Sequence, residues 1–154
     1  MSDLLQVLPL VTFAAFAIPL SVIDARRHIL PNRLVLIGLL CTLATEGLIS
    51  LHIDTSSAFT QSLMIALKTL CVYICLVVAS RGQLGMGDVK FSTVTGLTVG
   101  WVCPHMWLSS IWLAFCLAAI WLAFSMMQGA RERQSVIPFG PFMSASVILR
   151  STRA

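Results

Sequence analysis

The chain has 154 residues, 58% of them hydrophobic, with 10 basic and 6 acidic side chains and a mean hydropathy of +0.93. Charged residues make up 10% of it, against about 25% in soluble domains, so it cannot build a polar shell. That excludes an ordinary soluble enzyme, a disordered chain and a nucleic-acid module, and the net charge of +4 does not point to nucleic acid. What remains is an all-α, polytopic integral membrane protein with almost no extramembrane part.

A membrane helix needs about 20 apolar residues. The first uncharged run lies between Asp3 and Asp24, and the second between Arg33 and Asp54. No Lys or Arg precedes Arg26, so the first run does not read as a cleaved signal peptide and is expected to be kept. The third run covers roughly 58–80 and contains Lys68. From Lys90 to Arg131 there is no formal charge, a length of two spans, with Cys103-Pro104-His105 as the natural break. The fourth segment is then about 88–103. The last, 135–149, is short and carries Pro138, Gly140 and Pro141. Six hydrophobic segments are expected, in one domain over residues 1–154, with no repeat or linker.

Basic residues orient these segments. Arg26, Arg27 and Arg33 follow the first, Arg81 and Lys90 the third, and Arg131 and Arg133 the fifth. The alternate loops, near 54–58 and 103–105, have no Lys or Arg, so the N-terminus is expected outside and the basic loops in the cytoplasm. Arg150 and Arg153 then fall outside, a departure from the pattern.

Five cysteines occur, none in a C-x-x-C arrangement, which leaves no zinc-ribbon or thioredoxin-like motif. Four sit in apolar segments and read as small packing residues. Trp101, Trp107, Trp112 and Trp121 read as interface anchors and packing groups. Glu46 and Lys68 both fall inside segments, where charge is costly. Counted from the outer ends of antiparallel neighbours, they reach similar depth, so an ion pair is expected, with a snorkelling Lys68 as the rival.

Asp24 and Asp88 stand apart from the other acids. Asp24 ends the first segment and Asp88 ends the loop after the third. Segments one and three both run inward, so both carboxylates reach the same cytoplasmic edge. Two carboxylates held close cannot both ionise easily; sharing a proton makes one an acid and one a base, which suits peptide hydrolysis by activated water. From position alone, each could equally cap a helix or pair with an arginine. Asp88 lies in Gly85-Met86-Gly87-Asp88-Val89-Lys90, where the glycines permit close backbone approach or positive φ. Lys90, two residues on, points away from Asp88 and reads as an anchor. Pro31 suits the start of the second helix. His28 is titratable near this edge but reads as structural.

These residues resemble a known family. Asp24 with the basic residues after it and Leu30-Pro31-Asn32 is similar to the first-aspartate motif of type IV prepilin peptidases. Gly85-Met86-Gly87-Asp88-Val89-Lys90 is similar to their second, the G-x-G-D signature shared with presenilin-type intramembrane aspartic proteases. Ile137-Pro138-Phe139-Gly140-Pro141-Phe142 resembles their carboxy-terminal segment. The motifs occur in family order over positions 24–142. The resemblance implies removal of the charged leader from prepilins and pseudopilins at the cytoplasmic face of the inner membrane, usually after a glycine. It implies Asp24 and Asp88 as the catalytic pair, with Gly85 and Gly87 shaping the site. Pro138 and Gly140 have two equal readings, a kink in the sixth segment or irregular backbone lining the site or substrate groove. The resemblance implies no metal and no cofactor; the partners are the prepilin and the lipid bilayer. Leu30 stands where the family prefers Ile. Long members carry an amino-terminal region with paired C-x-x-C motifs, tied to N-methylation; a chain without it is expected to be a peptidase that needs no S-adenosylmethionine, as in tight-adherence pilus systems. The rival readings are a small proton-coupled carrier using the two aspartates, and a non-enzymatic scaffold for pilus assembly.

Overall fold

A computed structural model describes residues 2–27, 30–81, 84–127 and 139–151, with side chains from Val7 onward. Among these there are six α-helices and no strand: α1 (Ser2–Arg27), α2 (Asn32–Ile53), α3 (Ser56–Ala79), α4 (Met86–Val102), α5 (Trp107–Met127) and α6 (Phe139–Ser151), with a 3-10 turn at Pro104–Met106. The six expected segments thus appear as six helices. Four stretches are long and apolar enough to cross a bilayer: Val7–Arg27, Asn32–Ile53, Ser56–Ala79 and Pro104–Met127. At ~1.5 Å per residue, the 17 residues of α4 and 13 of α6 reach only about 25 and 20 Å, short of a ~30 Å hydrocarbon core.

Local chemistry sets the helix ends. Pro31 caps α2 in extended conformation, and its carbonyl accepts the N–H groups of Leu34 and Val35 at 3.0 and 3.2 Å. α2 stops at Asp54, which adopts the left-handed region at φ 49°, a conformation aspartate tolerates better than most residues. Ser50 O then accepts the N–H of Thr55 at 3.1 Å. Cys103, at φ −148° and ψ 71°, is outside the helical region, which a residue before proline avoids, and Pro104 opens the turn into α5.

α4 is the hub, packing against every other helix. Val89, Phe91, Ser92 and the whole run Val94–Gly100 are buried. In and around it the buried faces mix apolar side chains such as Phe13, Leu20 and Val94 with polar ones. They also carry small and hydroxylated residues, while Leu36, Leu40, Leu48, Leu67, Val78 and Ile120 look outward, as lipid-facing residues must. The buried hydroxyls of Thr42, Thr69, Ser92, Thr95 and Thr98 donate to carbonyls three or four residues back in their own helices. These hydroxyls are therefore satisfied within their own helices.

α3 and α4 run antiparallel along a glycine seam. A methyl group on Gly96 would lie 2.8 Å from Ala66 Cα, and one on Gly100 would lie 2.7 Å from Ser62 Cα. The four-residue spacing is the small-xxx-small pattern that lets membrane helices touch backbone to backbone.

The expected ion pair between Glu46 and Lys68 does not form. Glu46 is fully buried, and its Oε2 accepts the Ser62 hydroxyl at 2.6 Å, whereas Lys68 is exposed. Lys68 lies six residues beyond Ser62, about 9 Å further along α3 and about 240° around it, at ~1.5 Å and ~100° per residue, so it shares neither the level nor the side of Glu46. Lys68 instead leaves the bundle on the lipid side. Glu46 Oε1 has no hydrogen-bond partner, so Glu46 is polar volume filling an apolar gap. Glu46→Met, similar in size, is expected to unfold no earlier than wild type, and Glu46→Ala to lose about 2–4 kcal/mol through the cavity it leaves. Thermal unfolding in detergent distinguishes them; a Met variant as weak as the Ala variant would show that the carboxyl itself is required.

The cysteines are free, but only Cys103 is a buried packing residue; Cys71, Cys75 and Cys116 are exposed on the outer surface of the bundle. Trp112 and Trp121 are likewise exposed, and Trp107 packs against the core.

Candidate active site

Phe13, Ala17, Leu20 and Asp24 recur at helical spacing on the buried face of α1, so Asp24 projects into the bundle and is only 5% exposed. Arg26 and Arg27, past it, are exposed. The start of α6 meets Asp24 there. Gly140 N–H donates to Asp24 Oδ2 at 2.9 Å. First-turn amides of a helix have no partner within it, and the helix dipole favours a carboxylate at that end. A methyl on Gly140 would come within 3.0 Å of Asp24 Oδ2, so the approach depends on glycine. One turn deeper, the Ser21 and Ser144 hydroxyls are hydrogen-bonded at 2.9 Å, a second tie between α1 and α6.

Asp88 is the third residue of α4, and its carboxyl accepts the N–H of Gly85, the cap of that helix. This is the acidic half of a capping box. A methyl on Gly85 would lie 3.3 Å from Asp88 Oδ2. Gly85 has φ −66°. The G-x-G-D glycines therefore serve by lack of volume, not by positive φ: Gly85 makes room for the carboxyl, and Gly87 for Leu30, whose Cβ would be 2.9 Å from an added methyl.

Asp24 and Asp88 stand within electrostatic reach of each other. Below them, buried Tyr73 of α3 lies within the same reach of Asp88. Its ring stacks on Phe115 at 6.1 Å and meets Phe139 edge-on at 6.3 Å. This aromatic group forms the floor under the start of α6. Among the described residues, no cluster of three His, Cys, Asp or Glu side chains is arranged to hold a metal ion. His28 and Pro138 lie outside the described residues.

The structure thus brings Asp24, Asp88, Gly85 and Gly140 to one end of the bundle and turns Gly87 toward Leu30. Sequence reasoning missed Ser21, Ser144 and Tyr73. Ser21 is one turn from Asp24 and Ser144 one turn from Gly140, so helical spacing was the available signal.

Fold and site define an all-helical membrane protein with two carboxylates converging at one end of its bundle. Residues 11–123 match the type IV leader peptidase family, and the chain belongs to that family. It is similar to a prepilin leader peptidase/N-methyltransferase of Bacillus subtilis (strain 168), at 27% identity over 145 residues. That alignment covers 94% of this chain and 55% of the relative, so the chain spans about half the relative's length. No solved structure matches it.

Proposed function

We propose that this protein is a prepilin leader peptidase, an aspartic endopeptidase whose catalytic pair is Asp24 and Asp88. The observation that carries the reading is that these two carboxylates stand within electrostatic reach of each other at the shared end of α1, α4 and α6. With one proton between them, the ionised carboxylate takes a proton from water as it attacks the scissile carbonyl. The other carboxyl protonates the leaving amine. The Gly140 amide holds Asp24 through the reaction, and the Gly85 amide does the same for Asp88.

In this reading the six helices form a single peptidase domain, α4 and α6 being too short to cross the core unaided, with the N-terminus outside and the site at the cytoplasmic face of the inner membrane. The basic residues between the first and second, and the third and fourth, helices support that orientation. The substrate is a prepilin or pseudopilin, presenting a charged leader followed by a hydrophobic helix. A proton-coupled carrier is less well supported, because carriers hold such groups near the bilayer midplane and these stand at helix ends.

The test is co-expression with a prepilin, following leader removal by the wild type, Asp24→Asn and Asp88→Asn. A wild type that never removes the leader, or either variant cutting at the wild-type rate, sinks the proposal. Gly140→Ala is a milder probe. Its methyl pushes on Asp24, so cleavage is expected to fall about tenfold with the bundle intact. Unchanged cleavage would show that the site accommodates the methyl without displacing Asp24.

A further inference from the structure

Asp24 and Asp88 come from different helices, which pack directly through the Phe13–Phe91 stack, and the chain leaving Asp24 is fastened to α4 a second time. Two motif residues without a catalytic part make that fastening. Lys90 Nζ donates a hydrogen bond to Asn32 Oδ1 at 3.0 Å. Beside it, buried Leu30 rests on Gly87, at a distance that leaves no space for a methyl group. Asn32 is the first residue of α2, and Gly87 and Lys90 flank Asp88 in the first turns of α4. Gly87 and Lys90 are three residues apart and share one side of the helix, whereas Asp88 stands on another. The start of α2 thus grips α4 on one side, and Asp88 faces its partner from the other.

We infer that the Asn32–Lys90 hydrogen bond, seated on the Leu30–Gly87 contact, is a clamp that sets the position of Asp88 relative to Asp24. Asn32 and Lys90 are then positioning residues of the proposed peptidase, and the inference rests on that reading. The clamp gives the Leu-Pro-Asn segment a physical task. Leu30 supplies the seat, Pro31 starts the helix, and Asn32 presents an acceptor to a cation that the membrane edge would otherwise leave to water. A charge-assisted bond of this kind is directional, as positioning requires.

A structural clamp and a substrate contact predict different kinetics. Purified full-length wild type, Asn32→Leu, Lys90→Met, the double variant and Asn32→Asp would be assayed on one prepilin in detergent. Thermal unfolding would establish that each is folded. Each single change should lower kcat about tenfold at constant KM, since small misplacements of reacting groups are costly. The double variant should be no worse than either single one, because both remove the same bond. Asn32→Asp, which keeps an acceptor for Lys90, should stay within about twofold of wild type. A raised KM at unchanged kcat in Lys90→Met would make Lys90 a substrate contact and overturn the clamp. Additive losses, or wild-type kcat in both single variants, would overturn it as well. Those outcomes all occur with an active wild type; a wild type that removes no leader overturns the peptidase reading and the clamp with it.

Discussion

Asp24→Asn and Asp88→Asn should each slow leader removal roughly 10³- to 10⁵-fold, the scale seen when one member of a catalytic unit is lost. Neither change should unfold the protein. In Asp24→Asn the new side-chain amide keeps a carbonyl oxygen for the Gly140 N–H, and in Asp88→Asn it keeps one for the Gly85 N–H. The isosteric variants remove ionisation and leave the local hydrogen bonds in place. The double variant should be no slower than the worse single one, since residues acting as a unit lose their effect together. Cleavage rates with purified protein, beside unfolding midpoints in the same detergent, check all three statements. Multiplying losses in the double variant would mean that the carboxylates act separately, and the shared-proton mechanism would fail.

The second large effect lies in the α3–α4 seam. Alanine is the better helix former by about 0.5–1 kcal/mol, which alone would make Gly→Ala favourable. At Gly100 and Gly96 the new methyl meets Cα atoms of Ser62 and Ala66, and backbone cannot rotate aside. Overpacking of this kind costs about 1–3 kcal/mol, so each substitution should destabilise on balance. Gly47 is the control. There an added methyl meets nothing nearer than the Phe59 ring at 3.9 Å, so Gly47→Ala should be neutral or stabilising. Unfolding of the three variants in detergent gives the comparison. If Gly100→Ala behaves like Gly47→Ala, the seam is looser than the geometry says.

The helices were readable because lipid imposes length and hydropathy directly. The expected third and fourth segments, 58–80 and 88–103, became Ser56–Ala79 and Met86–Val102, and the break fell at Pro104. The convergence of Asp24 and Asp88 was readable because counting spans fixes which end of the bundle each residue reaches. Rotation about the helix axis was not readable. Glu46 and Lys68 were expected at similar depth, yet Glu46 faces Ser62, while Lys68 is about 9 Å further along α3 and exposed on another side. The hold of Gly140 on Asp24 joins residues 116 apart, and no local pattern announces an amide donor. The glycines of the second motif allowed either unusual dihedrals or close packing, and only the neighbours, Leu30 and the Asp88 carboxyl, decide for packing.

The amide that α6 offers to Asp24 bears on the order of assembly in the cell. Ribosomes add about 5–20 residues per second, so the 116 residues between Asp24 and Gly140 take on the order of ten seconds to make. Throughout that interval α1 is already synthesised and Asp24 lacks its hydrogen bond from Gly140. A nascent chain therefore carries both aspartates before the site around them is complete. Synthesis of α6 supplies the finishing contact, so the surroundings of Asp24 are completed only when the sixth helix arrives.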